Sequence, residues 1–373
     1  MIKIERISFI LCQYPLSVPI PLSCGALTHR NFGLIRIETN KGIDGWGETS
    51  INFPPWSYHE RRATIEDGLG TLLVGENPLE IGRLWHKLVN ATRSFTRMWS
   101  EGALLQAIGG IDIALWDIAG KEYGVPVCQL LGGRFRDEAV VYATGVRTDD
   151  LSAGLRDVAT KGYRVVKIRV GFDDDRDEAN VRLMREAIGH EIGLMVDANQ
   201  AWTYPRARKM MRRLMPYSLY WMEEPVLSDD LDGYLHLRAE FPNMPLAWGE
   251  NAFSISDYQS FLAAKAVDFV MPDPSRSGGL TQCVRLCEMA SRFGIPFSPH
   301  HYGSDLGFAA VLQLLASQAD FLIMLRDVSN CPLREEILAE PFEVRRGKVA
   351  IPLGPGLGVS INWKAVEKYQ VKL

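Results

Sequence analysis

The sequence predicts an α/β protein in which a parallel barrel follows a separate α+β unit. After Gly133, eight short apolar segments alternate with amphipathic segments of helical periodicity, whereas the residues before it show strand patterns and then helical ones. Repeated β–α units favour a closed (β/α)8-type sheet. A doubly wound open sheet is the alternative, and it is less well supported because no Gly-x-Gly-x-x-Gly motif follows the first strand.

The N-terminal unit begins with two predicted strands, Arg6–Gln13 and Gly33–Glu38. The stretch between them, Pro15–Arg30, is rich in Pro, Ser and Gly and predicts a loop. A turn at residues 40–42 ends the second strand. Apolar residues at helical spacing then predict a helix over Ala103–Lys121.

The barrel is predicted as eight strands with seven helices between them. The strands are Val140–Gly145, Val165–Val170, Gly193–Ala198, Leu219–Pro225, Leu246–Asn251, Phe269–Pro272, Ile295–His300 and Phe321–Leu325. The helices are Asp150–Lys161, Glu178–Ile188, Arg206–Leu214, Leu231–Phe241, Ile255–Ala264, Leu280–Phe293 and Leu306–Ala316. The tail, Pro341–Tyr369, returns to short strands and turns, and we expect it to pack on the N-terminal unit.

Composition and charge exclude several classes of protein. The 373 residues carry 41 Lys and Arg against 45 Asp and Glu, a net charge of −4 without a basic tract, which argues against a nucleic-acid partner. No apolar run reaches the roughly 18 residues of a membrane span. Glu5 and Arg6 interrupt any signal-peptide core, so we expect a cytoplasmic protein whose six cysteines are reduced thiols.

Charged side chains stand near the carboxyl ends of consecutive barrel strands at a regular spacing. There are six such residues, and consecutive ones are separated by 30, 26, 27, 23 and 27 positions. They are Lys167, Asp197, Glu223, Glu250, Asp273 and His300. A separation near 27 residues corresponds to one strand plus one returning helix. Each residue therefore belongs to its own strand end, at the face where barrel enzymes place their active sites.

The residue types in this set predict a metal site. Asp197, Glu223 and Glu250 would place three carboxylates together, and without a counter-charge they would repel one another. A hard divalent cation relieves that repulsion, and an all-oxygen set of ligands favours Mg²⁺. Lys167 and Arg169 are two residues apart on one strand, so alternation turns both toward the barrel axis, beside the metal.

A general base is predicted next to the metal. Asp273 and His300 come from adjacent strands, and a carboxylate–imidazole hydrogen bond would orient the base and raise its basicity. A metal, a cation and a base that converge suit removal of the proton alpha to a carboxylate, since the metal and Lys167 stabilise the resulting enediolate. Glu224 is predicted to be structural, because alternation turns it away from Glu223.

The motifs around these residues resemble the enolase superfamily and, within it, the mandelate racemase subgroup (the mandelate racemase/muconate lactonizing enzyme family), in the manner of acid sugar dehydratases. In order, the motifs are Lys-x-Arg, Asp-Ala-Asn, Glu-Glu-Pro, Gly-Glu-Asn, Pro-Asp and Pro-His, preceded by Gly45-Trp46-Gly47-Glu48 and Leu130-Leu131-Gly132-Gly133. The resemblance implies a modified TIM barrel, (β/α)7β, with an α+β N-terminal capping domain. It also implies one Mg²⁺ on the carboxylates of Asp197, Glu223 and Glu250, with Asp273 and His300 as the base dyad.

Three segments follow from the resemblance. They are a capping domain at 1–128 with specificity loops at about 15–30 and 50–60, a catalytic barrel at 129–340, and a C-terminal segment at 341–373 that packs on the cap. We further expect a small-molecule carboxylate substrate, no nucleic-acid or membrane partner, and a homo-oligomer.

Two positions depart from the family's pattern. Arg169 stands where many members have a second lysine, and an arginine stays protonated and is a poor base. Leu325 stands where the eighth strand usually ends in a glutamate that contacts the substrate carboxylate. With His300 as the evident base, we predict dehydration of a sugar acid to a 2-keto-3-deoxy acid. His300 can serve as both base and acid in a syn elimination, and neighbouring His301 is the alternative acid for the leaving hydroxyl. A racemase or epimerase that uses Lys167 as second base, and an inactive metal-binding relative, are the alternatives.

Substrate contacts are the least determined part of the site. The candidates are Asn199, His301, His29, Arg30 and Trp56. Because few further cationic side chains can be identified for a second acid group, we favour a monoacid over a diacid.

Overall fold

The computed structural model describes residues 1–22, 25–54, 56–96, 98–146 and 151–372. Within these ranges the chain forms two sheets. One is a four-stranded sheet of the N-terminal cap, and the other is the barrel sheet with an added C-terminal strand. The predicted fold class is confirmed. The domain boundaries at 128 and 340 stay a prediction.

The cap is an antiparallel sheet with helices after it. Its strands are β1 (Ile4–Leu22), β2 (Gly25–Thr39) and β3 (Gly45–Thr49). Its helices are α1 (Ser57–Arg62), α2 (Ile81–Thr92), α3 (Glu101–Tyr123) and α4 (Val127–Leu130), with a π-helical turn at Ala63–Gly68 and a 3₁₀ turn at Leu69–Leu72 after α1.

The prediction of a loop over Pro15–Arg30 is wrong, because β1 and β2 continue as a hairpin. They pair from Ile4 and Thr39 out to Leu22 and Gly25, with an irregularity between Pro15 and Ile20. The other neighbour of β1 in the described structure pairs with it only at Leu11 and Cys12. The prolines therefore lie where β1 has one neighbour, and a missing N–H is tolerated there.

The barrel strands are parallel and follow one another around the sheet. They are β4 (Glu138–Thr144), β5 (Val165–Arg169), β6 (Gly193–Asp197), β7 (Leu219–Glu223), β8 (Leu246–Trp248), β9 (Phe269–Val270) and β10 (Met324–Asp327). The predicted strand Ile295–His300 is reduced to a single bridge residue, Phe297, which pairs with Val270 and accepts a hydrogen bond from Leu322 N. Since β10 pairs with β4, these contacts close the barrel.

Helices return the chain between the barrel strands. They are α5 (Leu151–Lys161), α6 (Asp174–Ile188), α7 (Tyr204–Leu214), α8 (Leu231–Glu240), α9 (Ile255–Ala263), α10 (Gly279–Arg292) and α11 (Asp305–Ala316), with a 3₁₀ turn at Met215–Tyr217. The expected start of the first of them, Asp150, lies outside the described residues. The eighth strand begins three residues later than predicted, at Met324.

The C-terminal segment contacts both units. It contains β11 (Lys348–Ala350), α13 (Trp363–Tyr369) and β12 (Gln370–Val371), and the short helix α12 (Pro332–Glu336) precedes it. The strand β11 pairs antiparallel with β4 of the barrel, and β12 pairs with β1 of the cap. Trp363 packs edge-on against Trp46 of the cap, with ring centroids 5.2 Å apart. The tail thus ties the cap to the first barrel strand.

The helix α3 is the core element between cap sheet and barrel. It is apolar and long enough to cross a membrane, but 83% of its apolar window is buried inside the protein. Two carboxylates on it are also buried and bonded. Thr281 donates to Asp112, and the backbone N–H groups of Trp46 and Leu357 donate to Asp117. Its apolarity is therefore that of a core helix.

Close approach of β3 to α3 requires glycine at the contact. A Cβ built on Gly47 would lie 2.1 Å from the carbonyl oxygen of Gly110 on α3. A Cβ on Gly45 would lie 2.2 Å from the carbonyl oxygen of Ala114. Because both clashes are with backbone atoms, no side-chain rearrangement relieves them.

We therefore expect Gly47→Ala to lower the free energy of unfolding by about 1–3 kcal/mol, the usual cost of overpacking a core. Gly82→Ala on α2 is the matched control, since a Cβ there meets open space. It should leave stability within about 1 kcal/mol of wild type, because alanine favours the helix. Urea midpoints measure both, and equal midpoints for the two variants would contradict the packing argument.

Candidate active site

Three carboxylates converge at the carboxyl ends of adjacent barrel strands. Asp197 and Glu223 end β6 and β7 and are directly paired in register, and Glu250 follows β8 by two residues. One carboxylate oxygen from each can be chosen so that all three lie within 4.8 Å of one another. All three side chains are buried. Strand register thus brings together the residues that the spacing had placed on separate strands.

Lys167 on β5 lies against this cluster. Its Nζ is 2.5 Å from Glu223 Oε1 and 3.4 Å from Asp197 Oδ2. The other oxygen of Glu223 accepts a hydrogen bond of 3.0 Å from Trp221 Nε1. Burial alone would lower the pKa of Lys167, but the neighbouring carboxylates, Glu223 foremost, raise it well above its usual range.

The cluster places three buried carboxylates side by side, with Lys167 bonded to two of them. Burial raises the pKa of Glu223 to about 7, although Lys167 acts in the opposite direction. A divalent cation would relieve this charge, and a donor set made only of oxygens suits a hard ion. The residues therefore fit the expected metal, with Asp197, Glu223 and Glu250 to hold it.

The two residues of the predicted base dyad, Asp273 and His300, lie at hydrogen-bond distance from each other. His300 Nδ1 lies 2.8 Å from Asp273 Oδ2, and His300 Nε2 lies 2.9 Å from Glu250 Oε2. The second oxygen of Asp273 accepts hydrogen bonds from Ser275 N and Oγ. Asp273 is thereby held by partners on both oxygens, which fixes the orientation of the imidazole.

The pKa values of the dyad move apart. Burial would raise the pKa of Asp273, but the hydrogen bond from His300 outweighs it, and the value falls to about 2. Burial would lower the pKa of His300, but Glu250 and Asp273 raise it above its ordinary value. The two carboxylates on either side of the imidazole thus favour its protonated form.

Arg276 was not identified from the sequence and lies between the metal cluster and the dyad. Its Nη1 is 3.1 Å from the backbone oxygen of Glu250 and 3.3 Å from Glu250 Oε1, and its Nε is 3.7 Å from Asp273 Oδ2. It also donates to Asn251 Oδ1. The available signal is its position three residues after Asp273, in the segment that leaves β9.

Glu224 lies apart from the three carboxylates, as alternation predicts. Asn251 donates to it from the backbone N and from Nδ2, at 3.3 and 2.6 Å. Burial raises its pKa well above the usual range. The side chain therefore holds the strand ends together from outside the cluster.

A cavity of about 470 Å³ opens onto these groups. Lys167, Asp197, Glu250 and His300 line it. Its other walls include Phe53 from the cap and, from the barrel, Thr144, Arg169, Asn199, Tyr302 and Leu325. Asn199 also donates from Nδ2 to Glu250 Oε1, at 3.2 Å.

Arg169 and Tyr302 form one side of this cavity. The Arg169 guanidinium carbon is 5.2 Å from the centroid of the Tyr302 ring, a cation–π distance. Its Nη1 is buried and has no hydrogen-bond partner among the described residues. Tyr302 was missed in the sequence, where it stands two residues after His300.

Three predicted substrate contacts lie elsewhere. His301 points away from the cavity, and its Nε2 lies 2.9 Å from the backbone oxygen of Ser304, because consecutive residues after the strand face opposite sides. His29 pairs with Thr28 on the cap hairpin and does not line the cavity. Trp56 is 67% exposed at the start of α1 and does not line it either.

Arg30, a fourth predicted contact, instead joins the cap to the barrel. Its Nη1 is 2.6 Å from Asp327 Oδ2, and its Nη2 donates to the backbone oxygen of Tyr302. Arg334 reaches the same oxygen of Asp327 at 2.9 Å. Arg30 is fully buried, and its guanidinium is engaged by the end of the eighth strand and the backbone of Tyr302.

The same network accounts for the eighth strand. Leu325 lines the cavity, as the ladder register predicts, so no carboxylate enters from this strand. Arg326 pairs with Asp305, and Asp327 pairs with Arg30 and Arg334. Neither neighbour of Leu325 is available to replace the usual glutamate.

Comparisons with known proteins cover the whole chain. The N-terminal domain of mandelate racemase/muconate lactonizing enzymes matches residues 6–132, and the enolase C-terminal domain-like family matches residues 150–365. The D-galactarolactone cycloisomerase of Agrobacterium fabrum is 32% identical over 99% of both chains. The D-galactonate dehydratase of Ralstonia pickettii is 32% identical over 88% of both chains. A racemase from Streptomyces coelicolor A3(2), solved with bound magnesium, is similar with a TM-score of 0.88 and 28% identity, over 99% of this chain and all of that one.

We expect Asp197→Asn to weaken binding of Mg²⁺ by more than about tenfold, since even partners outside a ligand shell are worth that much. Calorimetric titration with MgCl2 measures the affinity. Asp229→Asn is the control, because this exposed carboxylate follows β7 but lies outside the cluster. Equal Mg²⁺ affinities for wild type and Asp197→Asn would show that the metal does not bind to this cluster.

Asp327→Asn tests the link between cap and barrel. Burial would raise the pKa of Asp327, but Arg334 and Arg30 hold it well below its usual range. The carboxylate therefore contributes stability above its unfolded pKa of about 4, and the contribution is lost as the pH falls toward the folded value. We expect the variant to be about 3–5 kcal/mol less stable at pH 7, because two buried arginines lose their partner.

Urea unfolding of both proteins from pH 7 down to pH 3 measures this difference, which should shrink below about pH 4. Glu343→Gln removes an exposed partner of Arg345 and should leave the urea midpoint unchanged. A difference for Asp327→Asn that stays constant across this range would show that charge is not its source.

Proposed function

The chain belongs to the enolase superfamily and, within it, to the mandelate racemase/muconate lactonizing enzyme family, and we propose that it is a Mg²⁺-dependent dehydratase of sugar acids. The observation that carries the proposal is a single oriented base in the cavity. His300 is held between Asp273 and Glu250, whereas the second-lysine position is Arg169. One base that serves one face of the alpha carbon suits elimination better than racemisation.

Asp197, Glu223 and Glu250 are the residues that would hold Mg²⁺. When bound, the ion stabilises the negative charge that develops on the substrate carboxylate. Lys167 adds a fixed positive charge on the same side, and its contacts to Glu223 and Asp197 keep the ammonium in place. These charges act before the reaction begins, so they need no reorganisation during it.

His300 then performs both proton transfers. Its imidazole removes the alpha proton, and the electron pair of that C–H bond forms the enediolate of the carboxylate. The enediolate expels the beta-hydroxyl, which takes the proton back from His300 and leaves as water. The resulting enol tautomerises to the 2-keto-3-deoxy acid. Because His301 faces away from the cavity, it is not the acid in this scheme.

A cycloisomerase is the second candidate. The cycloisomerase from A. fabrum matches 99% of this chain, a larger share than the dehydratase from R. pickettii. Such a reaction begins with the same removal of an alpha proton, but a ring oxygen leaves and stays attached to the product. The two reactions therefore differ in whether a water molecule is lost.

Racemisation has less support from the geometry. It requires a second base on the opposite face of the alpha carbon. Lys167 is the available residue, and its ammonium is engaged by two carboxylates. Arg169 remains protonated and cannot take a proton.

We expect His300→Asn to abolish turnover of acid sugars with Mg²⁺ and exchange of the alpha proton in heavy water, because it removes the only oriented base of the scheme. Semicarbazide detection of keto acids measures the first, and NMR measures the second. His236→Asn, an exposed histidine on α8, should keep both activities. Exchange that persists in His300→Asn would exclude His300 as the base.

Mass spectrometry of the product separates the candidate reactions. A keto acid that has lost one water supports the dehydratase. An isomer of a lactone or anhydro substrate supports the cycloisomerase. Inverted substrate that carries deuterium, with no keto product, would replace both with an epimerase, and a folded wild-type protein that binds Mg²⁺ but turns over no acid sugar or lactone would indicate an inactive relative.

A further inference from the structure

A second chamber adjoins the catalytic cavity. It has a volume of about 200 Å³ and lies between the cap hairpin and the barrel mouth. The hairpin contributes Leu16, Ser17, Val18, Ile20 and Pro21. The barrel side includes residues that follow β4, β5 and β10. Arg169 and Tyr302 line both the chamber and the catalytic cavity, so the two spaces meet at this pair.

Tyr302 in the shared wall is held by contacts from the cap. The Tyr302 ring centroid lies 3.9 Å from the Arg30 guanidinium carbon and 5.2 Å from that of Arg169. The backbone oxygen of Tyr302 accepts hydrogen bonds of 3.1 Å from Arg30 Nη2 and from Asn52 Nδ2. Arg169 therefore packs against the Tyr302 ring, and the cap residues Arg30 and Asn52 hold Tyr302 in place.

The charge of the second chamber is positive. Arg169 and Arg176 line it, and no acidic side chain does so among the described residues. Arg176 lies in the first turn of α6, and its guanidinium forms no ion pair within the described chain. Arg169 presents the buried Nη1 that has no hydrogen-bond partner there.

One polar group that lacks a partner among the described residues lines the same chamber as these arginines. The Ser329 hydroxyl is buried without a hydrogen bond in the described structure, and it lines the chamber together with Asn180. Ser329 itself is fixed, since its backbone N–H donates to Asp327 Oδ1 at 2.8 Å. An unsatisfied buried donor costs free energy, which a ligand that accepts the hydrogen bond recovers.

We propose that this chamber binds the distal carboxylate of a sugar diacid or of its monolactone, with Arg169 and Arg176 as the cationic partners. This inference rests on the proposed function, because the reacting carboxylate must lie at the metal cluster for the other end to reach Arg169. It reverses the sequence-based preference for a monoacid. Arg169 becomes a specificity-determining residue in place of a second base.

The two arginines suit this recognition, because a guanidinium matches the two oxygens of a carboxylate. Leu16, Val18 and Ile20 form the hairpin side of the chamber. Arg176 is exposed, whereas Nη1 of Arg169 is buried. The neutral hydroxymethyl end of a monoacid offers no such partner to Arg169.

Matched pairs of substrates test the proposal. Galactarate and galactonate share their carbon skeleton and differ at one end, as do glucarate and gluconate. We expect kcat/KM with Mg²⁺ to be at least about tenfold higher for one diacid than for its monoacid, the value of a charge-assisted hydrogen bond. Arg176→Gln should reduce that preference about tenfold, and Arg176→Lys should restore part of it.

Arg182→Gln is the matched control variant. It removes the same charge from the same helix and is exposed like Arg176, but it does not line the chamber. The diacid preference should be that of wild type. An equal loss in Arg182→Gln and Arg176→Gln would reduce the effect to the net charge of α6 and overturn the proposal.

Failure of this inference is distinguishable from failure of the proposed function. Turnover of monoacids with no diacid preference would overturn the second chamber as a carboxylate site and leave the dehydratase intact. If no acid sugar is turned over, calorimetric titration of the Mg²⁺-loaded protein with galactarate and galactonate still decides the matter. Tighter binding of galactarate, weakened by Arg176→Gln, supports the proposal, and equal binding of the two acids overturns it.

Discussion

The mutual repulsion of three buried carboxylates is the constraint around which the barrel mouth is organised. Strand register brings together Asp197, Glu223 and Glu250. The neighbouring side chains form ion pairs or hydrogen bonds with these carboxylates. Lys167 bonds two of them, whereas Arg276 and His300 bond Glu250. The base of the proposed reaction is thus oriented by the same negative charge that would hold the metal, so binding and chemistry share one set of contacts.

Much of this site could be predicted because, in a parallel barrel, the spacing of residues along the sequence determines which strand end each one occupies. Residues about 27 apart fall on successive strand ends, so Asp197, Glu223 and Glu250 could be grouped from the sequence alone. Arg276 could not be predicted, because it lies on the segment after a strand, where no periodicity determines which way a side chain points. The partners of Arg30 and His301 could not be anticipated for a related reason: nothing in the local sequence shows that these residues bond Asp327 and the backbone of Ser304.

Fold prediction failed where tertiary contacts override local signals. Prolines marked Pro15–Arg30 as a loop, yet the hairpin accommodates them on a strand with one neighbour. Phe297 completes the barrel with a single bridge opposite Val270. Val270 N donates to the backbone oxygen of Pro296, Ser298 N donates to that of Val270, and Leu322 N donates to that of Phe297. Cap and barrel are also interdependent. Glu48 of β3 accepts hydrogen bonds from Ser304 and Gly307, so the cap holds the loop that carries Tyr302.

The hairpin formed by β1 and β2 has a consequence for how such an enzyme can change over evolutionary time. It contributes side chains to the second chamber but none to the metal cluster or the dyad. Its outer part carries one neighbouring strand, so substitutions there disturb few packed contacts. New substrate ranges can therefore arise through mutations in this outer part of the hairpin, while the barrel that carries the proton chemistry is inherited unchanged.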